Sequence, residues 1–252
     1  MVVVRGRSLG CVPALTYLDH AATTPMRPEA VEAMLPYLSG QFANPSGSHR
    51  FARQARAALD DARDRIATVI GCAPGEVVFT SGGTEADNTA LLGVLARRGG
   101  RPACPAVEHH AVLEVVEDAQ GVVVPVGPEG SVDLDRLGGL LGEHPDVTVV
   151  SVMAVNNEVG TVTDLAAVAS VVRDVAPGVV VHTDAVQAPT WVDLRPITSV
   201  VDLLSLSAHK FGGPKGVGVL VVREGSPYRP LLVGGGQERE RRSGTQNVAG
   251  VV

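Results

Sequence analysis

The hydrophobic and polar positions of this chain alternate between two patterns. Six segments are short, continuously apolar and rich in β-branched residues, which is typical of strands covered on both faces of a sheet. They are residues 76–80, 122–126, 147–152, 179–183, 201–206 and 217–222. We therefore expect a central β-sheet that is buried inside the molecule.

The segments between these runs carry apolar residues at the three- and four-residue spacing of an amphipathic helix. The longest covers residues 49–70, and shorter helices are predicted at 85–97, 111–119, 134–141 and 165–174. Because strands and helices alternate, the pattern predicts an α/β fold with a mostly parallel sheet flanked by helices. In such folds, ligands bind at the carboxyl ends of the strands.

Composition narrows the classes of function. The net charge of -6 argues against nucleic acid or an anionic membrane as the main partner. Cys11, Cys72 and Cys104 are far apart, so neither a metal cluster nor a disulfide framework is expected, and a reducing cytoplasm suits them. The sequence shows no apolar run long enough to span a membrane and no signal peptide. The charged run 238–242 is expected to be a solvated loop.

Two strand ends carry the strongest candidate chemistry. Lys210 follows the run 201–206 beside Ser207 and His209, where a glycine-rich loop begins. A desolvated lysine amine in such a setting suits a Schiff base, although a surface loop is also compatible. Asp184 ends the run 179–183 with no cation nearby in sequence, so it either pairs with a ligand cation or caps the next turn. Pyridoxal phosphate (PLP) requires such a lysine and such a carboxylate.

The segment around Gly82, Gly83 and Thr84 is a candidate phosphate site. Here a strand runs through two glycines into a helix, and helix N-termini bind anions through free N–H groups. The alternative is an ordinary helix start that Thr84 caps. The glycine spacing matches neither a nucleotide-triphosphate loop nor a dinucleotide fingerprint, so a nicotinamide enzyme ranks last.

Three further polar residues follow strands. Gln187 could reach the ring oxygen of the same cofactor, or could be a surface residue. His109 could stack on an aromatic ring and move protons, or could be a loop histidine. Asn157 lies in a segment that is a turn by composition, where its amide could hold a substrate carboxylate or the ring oxygen.

Taken together, these segments resemble the cysteine desulfurase family, within the class V aminotransferase branch of fold-type I PLP enzymes. The Asn-Asn-Glu motif at 156–158 and the Arg-Ser-Gly-Thr motif at 242–245 are the desulfurase-specific ones. The matching segments, in the family's order, are residues 17–25, 44–49, 79–85, 108–113, 155–160, 182–187, 207–216 and 242–245.

The resemblance implies a role for each candidate residue. Lys210 would hold PLP covalently and act with His109, which stacks on the ring, as a catalytic residue. Asp184 would bond the pyridine nitrogen, Gln187 the ring oxygen, and Asn157 would lie beside the cofactor where substrate binds. In this chain, the phosphate would be held by Gly83, Thr84, Ser207 and His209. Thr245 of the partner subunit in a dimer would also bind it.

The implied reaction converts L-cysteine into L-alanine and leaves the sulfur as a persulfide on an enzyme cysteine. A sulfur-accepting scaffold or carrier would then serve iron–sulfur cluster assembly or another sulfur-donor pathway. Selenocysteine lyase, another class V lyase or aminotransferase, and a non-catalytic binding module remain alternatives.

The resemblance also implies a departure. In the family, the nucleophilic cysteine and the carboxylate-binding arginine lie well past the lysine, in a small C-terminal domain. We expect an N-terminal extension at residues 1–16, a large PLP-binding domain at 17–252, and no small domain, so that this chain alone may lack activity. Cys11, Cys72 and Cys104 fall outside the nucleophile motif, and Cys72 and Cys104 are expected to be packing residues.

Overall fold

The computed structural model describes residues 16–252, which form one seven-stranded sheet with helices on both faces. The strand order is β1-β7-β6-β5-β4-β2-β3. The strands are β1 (Val77–Thr80), β2 (Arg101–Pro105), β3 (Val122–Val124), β4 (Val147–Ser151), β5 (Val180–Asp184), β6 (Leu203–Ser207) and β7 (Gly218–Val222).

The sheet is mostly parallel, which confirms the predicted fold class. Strands β6, β5, β4, β2 and β3 pair in parallel, and β7 runs antiparallel to both of its neighbours, β6 and β1. All six predicted strands are present within two residues at each end. The structure adds β2 as a seventh strand, where the sequence showed only a short apolar run before His109, because β2 begins with Arg101 and contains Pro102 and Pro105. Prolines lack the amide donor of a ladder, so a strand that contains two is a poor match to the pattern.

Eight helices surround the sheet in the described part of the chain. They are α1 (Pro28–Leu38), α2 (Arg50–Ile70), α3 (Gly83–Arg98), α4 (His110–Asp118), α5 (Leu134–Glu143), α6 (Leu165–Val175), α7 (Leu194–Val200) and α8 (Val248–Val251). The five predicted helices α2 to α6 lie close to their predicted bounds. Helix α1 was not predicted, and none of its residues is buried.

The core consists of two layers, one on each face of the sheet. Along β1, Val77 and Phe79 join one apolar cluster, whereas Val78 between them joins the other. The first cluster includes Leu59 from α2, and the second includes Leu91 from α3. Because both faces are covered, the strands are apolar at every position rather than at alternate ones.

Residues 1–15 are outside the described part of the chain, and with them Cys11 and almost all of the predicted extension. The division into an extension and a PLP-binding domain therefore stays a prediction. Within residues 16–252, no helix combines the length and the apolar character that a bilayer crossing requires.

Candidate active site

A cavity of about 200 Å³ opens at the carboxyl ends of the central parallel strands. Its lining includes nine of the ten residues that the sequence predicted for the site: Gly83, Thr84, His109, Asn157, Asp184, Gln187, Ser207, His209 and Lys210. They come from the start of α3, from loops that follow β2 and β4, and from the ends of β5 and β6. The parallel arrangement of the strands thus brings together residues that are far apart in the chain.

Strand pairing explains why Asp184 and Lys210 line the same cavity. Asp184 is the last residue of β5 and pairs with Ser205 on the adjacent strand β6. Lys210 ends the short 3₁₀ turn Ala208–Lys210 that follows β6 directly. Neighbouring strands lie about 4.8 Å apart, so both side chains start from the same edge of the sheet.

Asp184 is buried, with 7% of its surface exposed. Its Oδ1 atom accepts a hydrogen bond of 2.8 Å from the Val186 N–H, so it does cap the following turn. Burial raises the pKa of this carboxyl, while that N–H and the charge of Lys210 oppose the shift. A single backbone donor leaves most of the hydrogen-bonding capacity of a carboxylate unused.

Lys210 is half-buried, and its Nζ atom donates a 2.5 Å hydrogen bond to the carbonyl oxygen of Ala21. Gln187 Nε2 donates to the same oxygen at 2.7 Å. Burial lowers the pKa of the Lys210 amine, although the charges of Asp184 and Asp19 oppose the shift. A lowered pKa increases the fraction of neutral amine, which is the nucleophilic and basic form.

The N-terminal end of α3 forms another wall of the cavity. The helix begins at Gly83, and its N-cap is Gly82, which provides no side-chain cap. The alternative in which Thr84 caps this helix is therefore wrong. A Cβ atom added to Gly83 would lie 2.9 Å from Val186 Cγ2, so a glycine is needed for this close approach. The uncapped amides remain available to an anion.

His109 lies at the N-cap of α4, where its Nδ1 atom accepts a 3.1 Å hydrogen bond from the Ala111 N–H. This bond directs the ring and assigns the remaining proton of the neutral imidazole to Nε2. His110 instead faces solvent beside Glu114. The two adjacent histidines point in different directions, as expected for neighbouring residues at a helix start.

An N-terminal strap, residues 19–27, covers the lysine loop. Thr24 N donates to the carbonyl oxygen of His209 at 2.9 Å, and Gly212 N donates to Thr24 Oγ1 at 2.8 Å. His209 Nδ1 lies 3.0 Å from Thr23 Oγ1. These bonds hold the backbone on both sides of Lys210 against the strap.

Thr245 is the predicted residue that does not line the cavity. It is exposed, in the loop that follows Arg242. The Arg242 guanidinium holds this loop on α3 through Glu85, with an Nε–Oε1 distance of 2.9 Å. A role in the site of a partner subunit stays a prediction.

The comparison with protein families decides the class of this chain. The model of the family described as aminotransferase class-V matches residues 16–252. The chain belongs to the class-V aminotransferase family.

Curated relatives within this family are named as cysteine desulfurases. The chain is 44% identical over 244 residues to the cysteine desulfurase IscS of Dictyoglomus turgidum, covering 94% of this chain and 61% of the relative. An IscS-like cysteine desulfurase of Mycobacterium tuberculosis is 44% identical over 250 residues, covering 94% of this chain and 63% of the relative. The chain thus spans about three fifths of the length of these relatives.

Solved structures agree with the family assignment. A NifS-like protein superposes with a TM-score of 0.87 at 39% identity, covering 92% of this chain and 66% of the other. The structure described as SspA in complex with cysteine gives a TM-score of 0.87 at 34% identity, covering 94% and 70%.

The cavity of this class-V chain has four lining residues that sequence reasoning missed: Asp87, Met153, Val155 and Val186. Asp87 lies on α3 four residues after Gly83, and the buried residues Ala90, Leu91 and Val94 continue the same helical spacing. An acid on an otherwise apolar helix face was the signal that could have revealed it.

The two described cysteines of the class-V chain are not activated thiols. Cys104 is fully buried in β2, and burial raises its pKa. Burial also raises the pKa of Cys72 to about 11, with a further contribution from Glu76. A nucleophilic cysteine needs the opposite shift.

The cavity therefore combines three chemical capabilities. A half-buried amine can bond a carbonyl carbon, a buried carboxylate can pair with a protonated ring nitrogen, and a helix N-terminus can bind a phosphate. A ligand that carries all three groups would satisfy the site.

Proposed function

We propose that this class-V chain binds PLP and forms the cofactor domain of a cysteine desulfurase, which converts L-cysteine into L-alanine and transfers the sulfur to an enzyme cysteine. The observation that carries the proposal is the convergence of Lys210, Asp184 and the uncapped start of α3 on one cavity. The names of the curated relatives support the choice of reaction.

The residues present fit PLP. Lys210 would bond its aldehyde carbon, and Asp184, which receives only one backbone donor, would bond its ring nitrogen. His109 would stack on the ring, Gln187 would bond the ring oxygen, and Asn157 would lie beside the substrate. The phosphate would be bound by donors grouped around the start of α3: Gly83, Thr84, Ser207 and His209.

When bound, PLP supplies an electron-accepting ring that stabilises negative charge at the α-carbon of an amino acid. Once the amino group of the substrate has displaced Lys210 from the cofactor, the freed amine would remove the α-proton, for which its lowered pKa suits it. Asp184 holds positive charge at the ring nitrogen. His109 presents Nε2 for proton transfer, because Nδ1 is engaged by the Ala111 N–H.

Burial raises the pKa of both described cysteines, which argues against either of them as the sulfur acceptor. The resemblance places the acceptor cysteine and the carboxylate-binding arginine later than Lys210, in a longer chain. We propose that the active protein is a cytoplasmic homodimer in which Thr245 of the partner subunit bonds the phosphate. Its sulfur would pass to a scaffold or carrier protein, for iron–sulfur clusters or another pathway.

The test exploits the fact that the chain has only two lysines, Lys210 and Lys215. Incubation with PLP followed by borohydride reduction should attach the cofactor to Lys210, which peptide mass spectrometry would locate. Lys210→Ala should abolish the visible absorption band and the adduct. Lys215→Ala is the matched control, because Lys215 is an exposed lysine five residues away, and it should retain both. A colourless wild-type protein, or an adduct that survives Lys210→Ala, would contradict the proposal.

The reaction itself is tested by alanine release from L-cysteine, with a protein that includes the acceptor cysteine. L-Selenocysteine and L-aspartate are the comparison substrates for the lyase and aminotransferase alternatives. Faster turnover of either one would reassign the reaction and leave PLP binding intact.

A further inference from the structure

A buried polar network connects α3 to strands β4, β5 and β6 beside the cavity. At its centre is His182, which is fully buried. Its Nδ1 atom lies 2.8 Å from Ser151 Oγ, and its Nε2 atom lies 2.9 Å from Ser205 Oγ. Burial lowers the pKa of His182 to about 3, so the ring is neutral.

Asp87 joins this network from α3 and lines the cavity. Only 1% of its surface is exposed, and its Oδ1 atom has no hydrogen-bond partner in residues 16–252. Among residues 16–252, the basic atom that lies within 4 Å of this carboxyl group is His182 Nε2, at 3.7 Å. Since that imidazole is neutral, no cation compensates a charge on Asp87.

Two further buried acids face Asp87. One is Asp184 on β5, and the other is Glu108, which precedes α4 and accepts a 2.6 Å hydrogen bond from the Met153 N–H. Burial, and then the charge of Asp184, raise the pKa of Asp87 well above its ordinary value, with a smaller contribution from Glu108. The hydroxyl of Ser205 opposes this shift. Two carboxylates that share a desolvated site cannot both ionise cheaply.

The surroundings of the two aspartates decide which one is ionised. Asp184 has the Val186 N–H as a donor and the charge of Lys210 nearby. Asp87 has the Ser205 hydroxyl and a neutral imidazole. The negative charge is therefore more stable on Asp184.

Building on the proposed function, we propose that Asp87 is a positioning residue. Its carboxyl group carries a proton beside the His182–Ser205 pair, so that Asp184 alone bears the negative charge that faces the ring nitrogen of PLP. Asp87 does not contact the reacting atoms in this role. It acts through Asp184 by occupying the buried site without adding a second charge.

Infrared spectroscopy of the apoprotein at neutral pH tests the protonation state directly. The wild-type minus Asp87→Asn difference spectrum should contain the C=O stretch of a protonated carboxylic acid, and this band should shift in D₂O. Asn has nearly the same shape as a protonated Asp, so the variant should fold. If Asp87→Asn does not fold, the spectrum of PLP-loaded Glu108→Gln replaces the difference spectrum, because this variant lacks the other buried acid that could carry a proton. A carboxylic acid band in that spectrum supports the proposal, and the absence of the band overturns it.

Cofactor binding provides the second readout. Asp87→Asn should bind PLP within about 3-fold of the wild-type affinity, because a neutral group replaces a neutral group, whereas Asp184→Asn should weaken binding by at least about 10-fold. The proposal would be overturned if Asp87→Asn lost as much affinity for PLP as Asp184→Asn. A difference spectrum without a carboxylic acid band would overturn it as well. If the wild-type protein binds no PLP, the proposed function fails, while the apoprotein spectrum still decides whether Asp87 is protonated.

Discussion

The buried acids of this protein fall into two regions that differ in the donors around them. Glu238 has 4% of its surface exposed and accepts two 2.9 Å hydrogen bonds from the Arg63 guanidinium. The Phe79 N–H, at 2.9 Å, and Gln246 Nε2, at 3.2 Å, complete its set of donors. In the cavity, as far as residues 16–252 show, Asp184 has one backbone donor and Asp87 has an oxygen without a partner. An acid with a full set of donors serves the fold, whereas an acid short of donors marks a place where a ligand can supply one.

The Glu238 region also carries backbone strain. Glu238, Arg239 and Glu240 have φ values of 48°, 56° and 64°, in the left-handed region that non-glycine residues avoid. Each such residue costs on the order of 1–3 kcal/mol and persists only where its surroundings enforce it. Here the Arg63–Glu238 pair, together with the Arg63 guanidinium 4.4 Å from the centre of the Phe79 ring, provides the enforcement.

The largest expected loss of stability is at Glu238. Glu238→Ala leaves Arg63 buried without its partner and should lower the free energy of unfolding by about 3–5 kcal/mol. Urea denaturation of the apoprotein measures it. Glu240→Ala is the matched control, because Glu240 is exposed and shares the left-handed conformation, and it should change stability by less than about 0.5 kcal/mol. Equal losses in the two variants would refute the assigned role of the ion pair.

At Asp184 we expect a substitution to leave the free energy of unfolding unchanged or to raise it. Asp184→Asn removes a buried acid without a full set of donors, so the apoprotein should be as stable as the wild type or more stable. If the proposed function holds, its affinity for PLP should still fall by at least about 10-fold, since a hydrogen bond to a charged group is lost. Urea denaturation and absorption titration with PLP measure the two quantities. A destabilisation as large as that of Glu238→Ala would remove the distinction between the two regions.

The pH dependence of apoprotein stability should reflect the cavity acids. The pKa of Asp184, Asp87 and Glu108 is raised in the folded state, so above pH ~4 the folded protein binds more protons than the unfolded chain. Their contribution to stability is therefore lost as the pH rises from ~4, by up to about 1.4 kcal/mol per pH unit for each group. Urea denaturation between mildly acidic and mildly alkaline pH should show a shallower slope for Asp184→Asn. Parallel slopes would disprove the contribution of Asp184.

The smallest effect is expected at the exposed pair between Arg101 and Asp146, whose Nε–Oδ2 distance is 2.7 Å. The hydrogen bond from Arg101 lowers the pKa of Asp146, but solvent screens the pair. Asp146→Asn should leave the thermal unfolding midpoint unchanged within experimental error. A clear fall would show that short distance alone, without burial, stabilises an ion pair in this protein.

The sequence pattern predicted the strands and helices, because their apolar spacing depends on residues that are close together in the chain. The two-sided burial of the strands gave continuous apolar runs, and the strand ends then placed Asp184 and Lys210 at one edge of the sheet. Asp87 was missed because its exposure to the cavity depends on the rotation of α3, which packing determines. The charged run 238–242 was wrongly expected to be fully solvated: Glu238 is buried, because its partner Arg63 lies 175 positions away in the chain. Long-range pairing of this kind leaves no local pattern.

The strap over the lysine loop has a consequence for biosynthesis. Lys210 and the carbonyl oxygen of Ala21 that receives its hydrogen bond are separated by 189 positions, and Thr24 and Gly212 by 188. A ribosome makes the strap before the lysine loop, so the nascent chain cannot assemble this enclosure until Gly212 has emerged. If the proposed function holds, loading of the vitamin B6 cofactor should accordingly wait until that point of synthesis.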